Sequence, residues 1–139
     1  MTIQNPKPDE LNSILAKAKR IAVVGLSDNP ERTSYQVAKH MLDARYEIIP
    51  VNPKADQVFG IKSVGSLKDI EGHVDIVNVF RRSEFLLDVA KEAAEIKPDV
   101  FWAQLGLANE DAYDYLQKHG ITVVMDRCIK VQHEQMINS

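Results

Sequence analysis

The chain has 139 residues and a mass of 15.7 kDa, with 45% hydrophobic and 27% charged residues. That is the size and balance of one globular domain able to bury its own core without disulfides or metal. Its 17 basic and 20 acidic residues leave a net charge of −3, against the strongly basic face of a general nucleic-acid binder.

In chain order, the N-terminal MTIQNPKPDE lacks the basic-then-apolar pattern of a signal peptide. Leu11, Ile14, Leu15 and Ala18 then recur at helical spacing. Ile21–Leu26 (IAVVGL) is a continuous apolar run, the pattern of a strand buried on both faces of a parallel sheet. Thr33 or Ser34 is expected to cap a second helix with Val37, Ala38, Met41 and Leu42 on its inner face. Tyr46–Val51 predicts a second strand, closed by Asn52 and Pro53. Between Val58 and Ser66, turns at Gly60 and Gly65 leave room for a short edge strand. Asp75–Phe80 predicts the third main strand, and Ser83 is expected to cap a helix carrying Phe85, Leu86, Val89, Ala90 and Ala93 that stops before Pro98. Val100–Ala103 follows as a fourth strand. Asn109 predicts the cap of a helix with Glu110 and Asp111 in its first turn, Lys118 and His119 in its last, and Gly120 as its left-handed stop. Thr122–Met125 is a fifth strand, and Arg127–Ser139 is open between a tail and a short helix.

Strands alternating with helices across short connections imply a mainly parallel five-stranded sheet with helices on both faces. The expectation is one three-layer α/β/α Rossmann-like domain over residues 1–139, with a possible short extra edge strand. No apolar run approaches the roughly 20 residues of a membrane span. The lone Cys128 has no partner for an internal disulfide, and the chain is expected in the cytoplasm.

In such sheets ligands sit beyond the carboxyl ends of the strands, where strand order reverses. The first such loop runs from Gly25 to Ser34 and offers a tight glycine turn, the hydroxyls of Ser27, Thr33 and Ser34, and a helix N-terminus suited to an anion. The full G-x-G-x-x-G spacing is absent, and taken alone a capped strand-to-helix turn needs no ligand. The second loop holds Asn52 and Lys54, where an NAD-binding domain would usually carry an acidic residue on the ribose hydroxyls. A lysine there suits a ribose phosphate, either the 2′-phosphate of NADP or the 3′-phosphate of coenzyme A. Pro50 and Pro53 stiffen this loop into a shelf for an adenine ring, although a solvated lysine in a proline turn would look the same.

Together, VVGLSDNPERTSYQVAKHM, YEIIPVNPK, DIVNVFRRSE, FWAQLG and GITVVMDRC resemble the small CoA-binding proteins of bacteria and archaea, whose domain is similar to that of the succinyl-CoA synthetase α chain. The resemblance runs from about Ile21 to Cys128. It implies that Gly25, Ser27 and Asn29 line a pyrophosphate turn, with Arg32, Thr33 and Ser34 near the phosphates. It implies further that Val51, Asn52, Pro53 and Lys54 face the adenosine end, with Lys54 on the 3′-phosphate. Val79, Phe80, Arg81, Arg82 and Ser83 would border the pantetheine path or the pyrophosphate, and Gln104, Gly106 and Cys128 would share the rim. One departure is Arg45, where family members commonly have glycine before the aromatic residue that opens strand two; it is expected to be a helix stop rather than a contact.

Cys128 is open between a mixed disulfide with the CoA thiol and a half-buried packing role. His40, His73, His119 and His133 are scattered without metal-ligand spacing, so no metal site is expected, and His119 is accounted for by a helix C-terminus. Trp102 and Phe101 are expected in the core. No Ser-His-Asp arrangement or G-x-S-x-G elbow stands in the sequence, so no catalytic residue is expected. The reading is a binder of CoA or an acyl-CoA without chemistry of its own, with no nucleic-acid or membrane partner; its protein partners stay open. The alternatives are an NADP-binding oxidoreductase, which the missing substrate domain weakens, and a nucleotide-sensing regulatory domain.

Overall fold

In the computed structural model, which describes residues 3–138, the alternation resolves into strands β1 (Arg20–Val24), β2 (Glu47–Val51), β3 (Gln57–Val58), β4 (Ile61–Lys62), β5 (Ile76–Val79), β6 (Val100–Ala103) and β7 (Thr122–Val124). The helices are α1 (Pro8–Lys17), α2 (Thr33–Asp43), α3 (Leu86–Ile96), α4 (Glu110–Lys118) and α5 (Ile129–Ile137). Five strands form one sheet in the order β2-β1-β5-β6-β7, and each pairing in it is parallel.

The two-residue period of a strand divides the core into two layers. Ala22, Val24, Val77, Val79, Phe101 and Ala103 pack with Val89, Ala90 and Ala93 of α3 and Tyr113 and Leu116 of α4. Ile21, Val23, Ile48, Ile76, Trp102 and Val124 pack with Leu11 and Leu15 of α1, Val37 and Met41 of α2 and Ile129 of α5. Helices therefore cover both faces, which gives the expected three-layer Rossmann-like arrangement. Trp102 and Phe101 are fully buried, as expected, and the indole Nε1 donates to the Arg127 carbonyl at 2.9 Å.

Local chemistry explains most boundaries. The Asn109 side chain accepts the Ala112 N–H at 2.9 Å, the expected cap of α4, and Gly120 closes that helix at φ +74°. Arg45 ends α2 in the left-handed region at φ +78°, the helix stop expected there. The region after β2 forms a small antiparallel hairpin, β3–β4, and Val64 bridges Val51 in parallel at the free edge of β2.

Two expected caps are corrected. The residue preceding α2 is Arg32, which makes no side-chain cap, while Ser34 Oγ accepts the Ser27 N–H at 3.0 Å instead. Ser83 opens a one-turn 3-10 helix (Ser83–Phe85) that runs directly into α3 and leaves no isolated helix start to cap. Its Oγ accepts the Ala108 N–H at 3.1 Å. The ambiguous C-terminal stretch becomes α5, with Ser139 outside the described residues. Two of its buried residues, Gln132 and His133, are polar, which blurs its apolar periodicity. They meet Asn12 on α1 and His40 on α2.

Candidate functional site

The chain leaves β1 toward β2 and returns on the other side of β1 as β5, so strand order reverses between β1 and β5. A crevice is expected at the carboxyl ends of such strands, and a cleft of about 660 Å³ lies there. That volume falls within the roughly 300–1,000 Å³ usual for ligand pockets.

Its floor is set by the turn after β1. The Gly25 N–H donates to the Val51 carbonyl at 2.9 Å, and Gly25 sits at φ +84°. A Cβ at this position would stand 3.0 Å from the Phe80 carbonyl oxygen, so the strand ends approach closely only because no side chain intervenes. The loop beyond is braced by its own polar groups: the Asn29 N–H donates to Ser27 Oγ and the Glu31 N–H to Asn29 Oδ1, both at 3.0 Å. Arg32, the residue before α2, gives no side-chain cap, the condition that suits an anion at the first amides of the helix.

The wall after β2 is equally ordered. Asn52 donates through Nδ2 to the Leu26 carbonyl and accepts the Lys54 N–H at Oδ1, both at 2.9 Å. Pro53 and Lys54 follow as an exposed shelf. On the third side come Phe80, Arg81 and Arg82; the Arg81 guanidinium lies 5.1 Å from the centre of the Phe85 ring. Arg32, Lys54, Arg81 and Arg82 are all exposed and all line the cleft. Glu92 of α3 also lines it, and its Oε1 accepts the Ser66 hydroxyl and the Leu67 N–H, so that charge is held by the wall.

The cleft thus gathers Gly25, Arg32, Val51, Asn52, Pro53, Lys54, Phe80, Arg81 and Arg82 from the expected set. Ser27 and Asn29 in the loop after β1, and Thr33 and Ser34 in the first turn of α2, stand outside its lining, as do Val79, Ser83, Gln104, Gly106 and Cys128. Gln104 is 4% exposed and its Oε1 accepts from Asn78 Nδ2 at 3.3 Å and from the Ile129 N–H at 3.1 Å, tying β5, β6 and α5 together. The Gly106 N–H donates to Asp126. Cys128 immediately precedes α5 and lines a separate hollow of about 350 Å³ with Leu105 and Val131. Sequence reasoning missed Val24, Gly65, Leu67, Val89 and Glu92 as lining residues. The three-residue spacing of Val89 and Glu92 on one helical face was the available signal for the last two.

The histidines are less scattered than their spacing suggests. His40 Nε2 lies 3.0 Å from His133 Nδ1, and burial, then the neighbouring His40, pushes the His133 imidazole below its ordinary value. At the amino-terminal edge of the sheet, His73 stands with Asp75 and Asp99. The neighbours come from folding, which sequence spacing does not register.

Residues 19–134 match the profile of the family described as CoA binding domain. The chain belongs to this family. The Bacillus subtilis protein YneT is 60% identical to it over 131 residues, covering 94% of this chain and 97% of YneT. The α subunit of an ADP-forming acetate–CoA ligase from Pyrococcus furiosus is 26% identical over 81% of this chain, which spans 27% of the subunit. A solved Thermus thermophilus protein superposes with a TM-score of 0.90 at 34% identity, covering 94% of this chain and 99% of its own. Among the described residues of this CoA-binding family member, no helix is long and apolar enough to cross a membrane.

Proposed function

We propose that the chain binds coenzyme A, or an acyl-CoA, in the cleft at the carboxyl ends of β1, β2 and β5, and that it supplies no chemistry of its own. One observation carries the reading. Arg32, Lys54 and the Arg81–Arg82 pair, from three separate loops, converge on one crevice at the strand-order reversal in a chain of net charge −3. Such a local cationic rim suits a ligand with several phosphates.

In this proposal the turn of Gly25, Ser27 and Asn29 and the first turn of α2, with Thr33 and Ser34, line the pyrophosphate. Arg32 and Arg81 neutralise its charge. Val51, Asn52 and Pro53 present the shelf for the adenosine, and Lys54 donates to the 3′-phosphate. Phe80 borders the pantetheine path. Ser83, Gln104 and Gly106 act by holding the strand-end loops through the hydrogen bonds described above, and Cys128 packs. A cytoplasmic setting accords with the lone cysteine.

Lys54 would also suit the 2′-phosphate of NADP, so the deciding experiment is a calorimetric panel of CoA, acetyl-CoA, NADP and NAD. CoA or acetyl-CoA should bind more tightly than either nicotinamide nucleotide. Tighter NADP binding would replace the reading with the redox alternative, and no binding would favour a regulatory domain with a vestigial cleft.

A further inference from the structure

The amino-terminal edge of the sheet, at the opposite end from the cleft, carries a group of side chains that nucleotide binding leaves unused. His73, Asp75 and Asp99 each bring a ligand atom within 4.8 Å of the others. The topology creates this meeting. Asp75 directly precedes β5 and Asp99 directly precedes β6, and the two strands pair in parallel with Ile76 opposite Val100. His73 reaches both carboxylates: its Nε2 is 3.2 Å from Asp99 Oδ1 and 3.9 Å from Asp75 Oδ1.

The group is braced from below. Asp75 Oδ2 accepts the N–H groups of Lys19 and Arg20, both at 2.8 Å, which leaves Oδ1 toward His73. Burial alone would raise the Asp75 carboxyl, but those two amides, with the charges of His73 and Arg20, hold it below its ordinary value. The Arg20 guanidinium is itself committed, donating to Glu47 at 2.9 Å and to the Glu71 and His73 carbonyls at 3.0 and 2.7 Å. It therefore fixes the loop that carries His73. A hollow of about 220 Å³, lined by Asp75 and Asp99 and also by Lys17 and Thr122, opens beside the carboxylates.

We propose that His73 Nε2, Asp75 Oδ1 and Asp99 Oδ1 form a binding site for a divalent transition-metal ion of the zinc class. Imidazole and carboxylate donors bind such an ion at about 2.0–2.2 Å, which sets neighbouring donors about 3.0–3.5 Å apart. The His73–Asp99 separation already meets this, and the longer His73–Asp75 separation would close by a small rotation of the His73 ring, whose side chain is 53% exposed. Two carboxylates balance the charge of a dication. The imidazole favours zinc-class ions over magnesium or calcium, which take oxygen donors. Three protein ligands leave a coordination position open, as catalytic rather than structural zinc sites do.

The test uses the full chain without an affinity tag, titrated with Zn²⁺ by calorimetry and with Co²⁺ by visible absorbance. One equivalent should bind, and Asp99→Asn and His73→Gln should each weaken Zn²⁺ at least tenfold. Imidazole resonances of the unmutated chain give a readout independent of mutation: Zn²⁺ should move those of His73 and leave those of His40, His119 and His133 in place. Absence of saturable binding, affinity that either variant leaves within tenfold, or a shift confined to other histidines would reduce the group to an ion-paired triad and overturn the proposal.

Discussion

Asn52 Nδ2 donates to the Leu26 carbonyl at 2.9 Å, fastening the end of β2 to the loop that leaves β1. The same side chain accepts the Lys54 N–H, so one amide sets both the mouth of the cleft and the start of the lysine shelf. Removing it leaves a half-buried carbonyl and a backbone N–H without their partners. Asn52→Ala should lower unfolding stability by about 1–3 kcal/mol, the sum expected for two ordinary hydrogen bonds. Asn52→Asp keeps the acceptor for Lys54 but sets a carboxylate against the Leu26 carbonyl, and should be the worse of the two in urea titrations.

Lys54 is the sharpest probe of the proposed ligand orientation. Lys54→Ala should weaken CoA by about 1.5–3 kcal/mol, the range for a hydrogen bond to a charged group, and leave 3′-dephospho-CoA nearly unchanged. Its exposure means that the fold should be indifferent to the change. Calorimetry on the two ligands decides the matter, because an equal loss on both would move the lysine away from the 3′-phosphate.

Gly25 combines a left-handed backbone with crowding. At φ +84° an alanine carries about 1–2 kcal/mol of backbone strain, and its Cβ would also stand 3.0 Å from the Phe80 carbonyl. Gly25→Ala should therefore destabilise the fold by about 1–3 kcal/mol and weaken CoA binding by prising apart the ends of β1 and β5. Thermal melts and calorimetry on the same preparation would show whether both losses occur together. Retained stability and affinity would mean that the turn relaxes freely.

How far the sequence already carried these conclusions differs between elements. The strands read well because burial on both faces demands unbroken apolar runs; β6 has the bounds that Val100–Ala103 predicts. The α4 cap read well because Asn109 acts on an amide three residues away. Ser34 and Ser83 misled for the complementary reason. Each is a good capping residue, yet a more distant amide, Ser27 N–H or Ala108 N–H, takes its hydroxyl. Tertiary partners decide such competitions, and residue type does not encode them. The site divided along the same line. Gly25, Lys54 and Arg81 follow strand ends and were legible from position. Glu92 enters the cleft from the body of α3, and Asp99 meets His73 across paired strands.

The His40–His133 contact makes folding sensitive to mild acid. His133 is 7% exposed, its ring lies 5.8 Å from that of Tyr46, and its Nδ1 faces His40 Nε2 at 3.0 Å. Burial, then His40, disfavours the imidazolium and lowers its pKa in the folded state from 6.5. Between the folded value and about 6.5, the unfolded chain therefore binds more protons at this residue than the folded one, and stability rises with pH. The contribution is fully present above about pH 6.5 and is lost as pH falls from there through the folded value. Asp75 acts separately: its depressed carboxyl value removes stability only on acidification below the usual carboxylate range. Urea titrations at pH 7.5 and 5.5 should show a lower midpoint at the acidic value, and His133→Gln should shrink that difference. An undiminished difference in the variant would place the sensitivity at another group, since Asp75 stays ionised throughout this window.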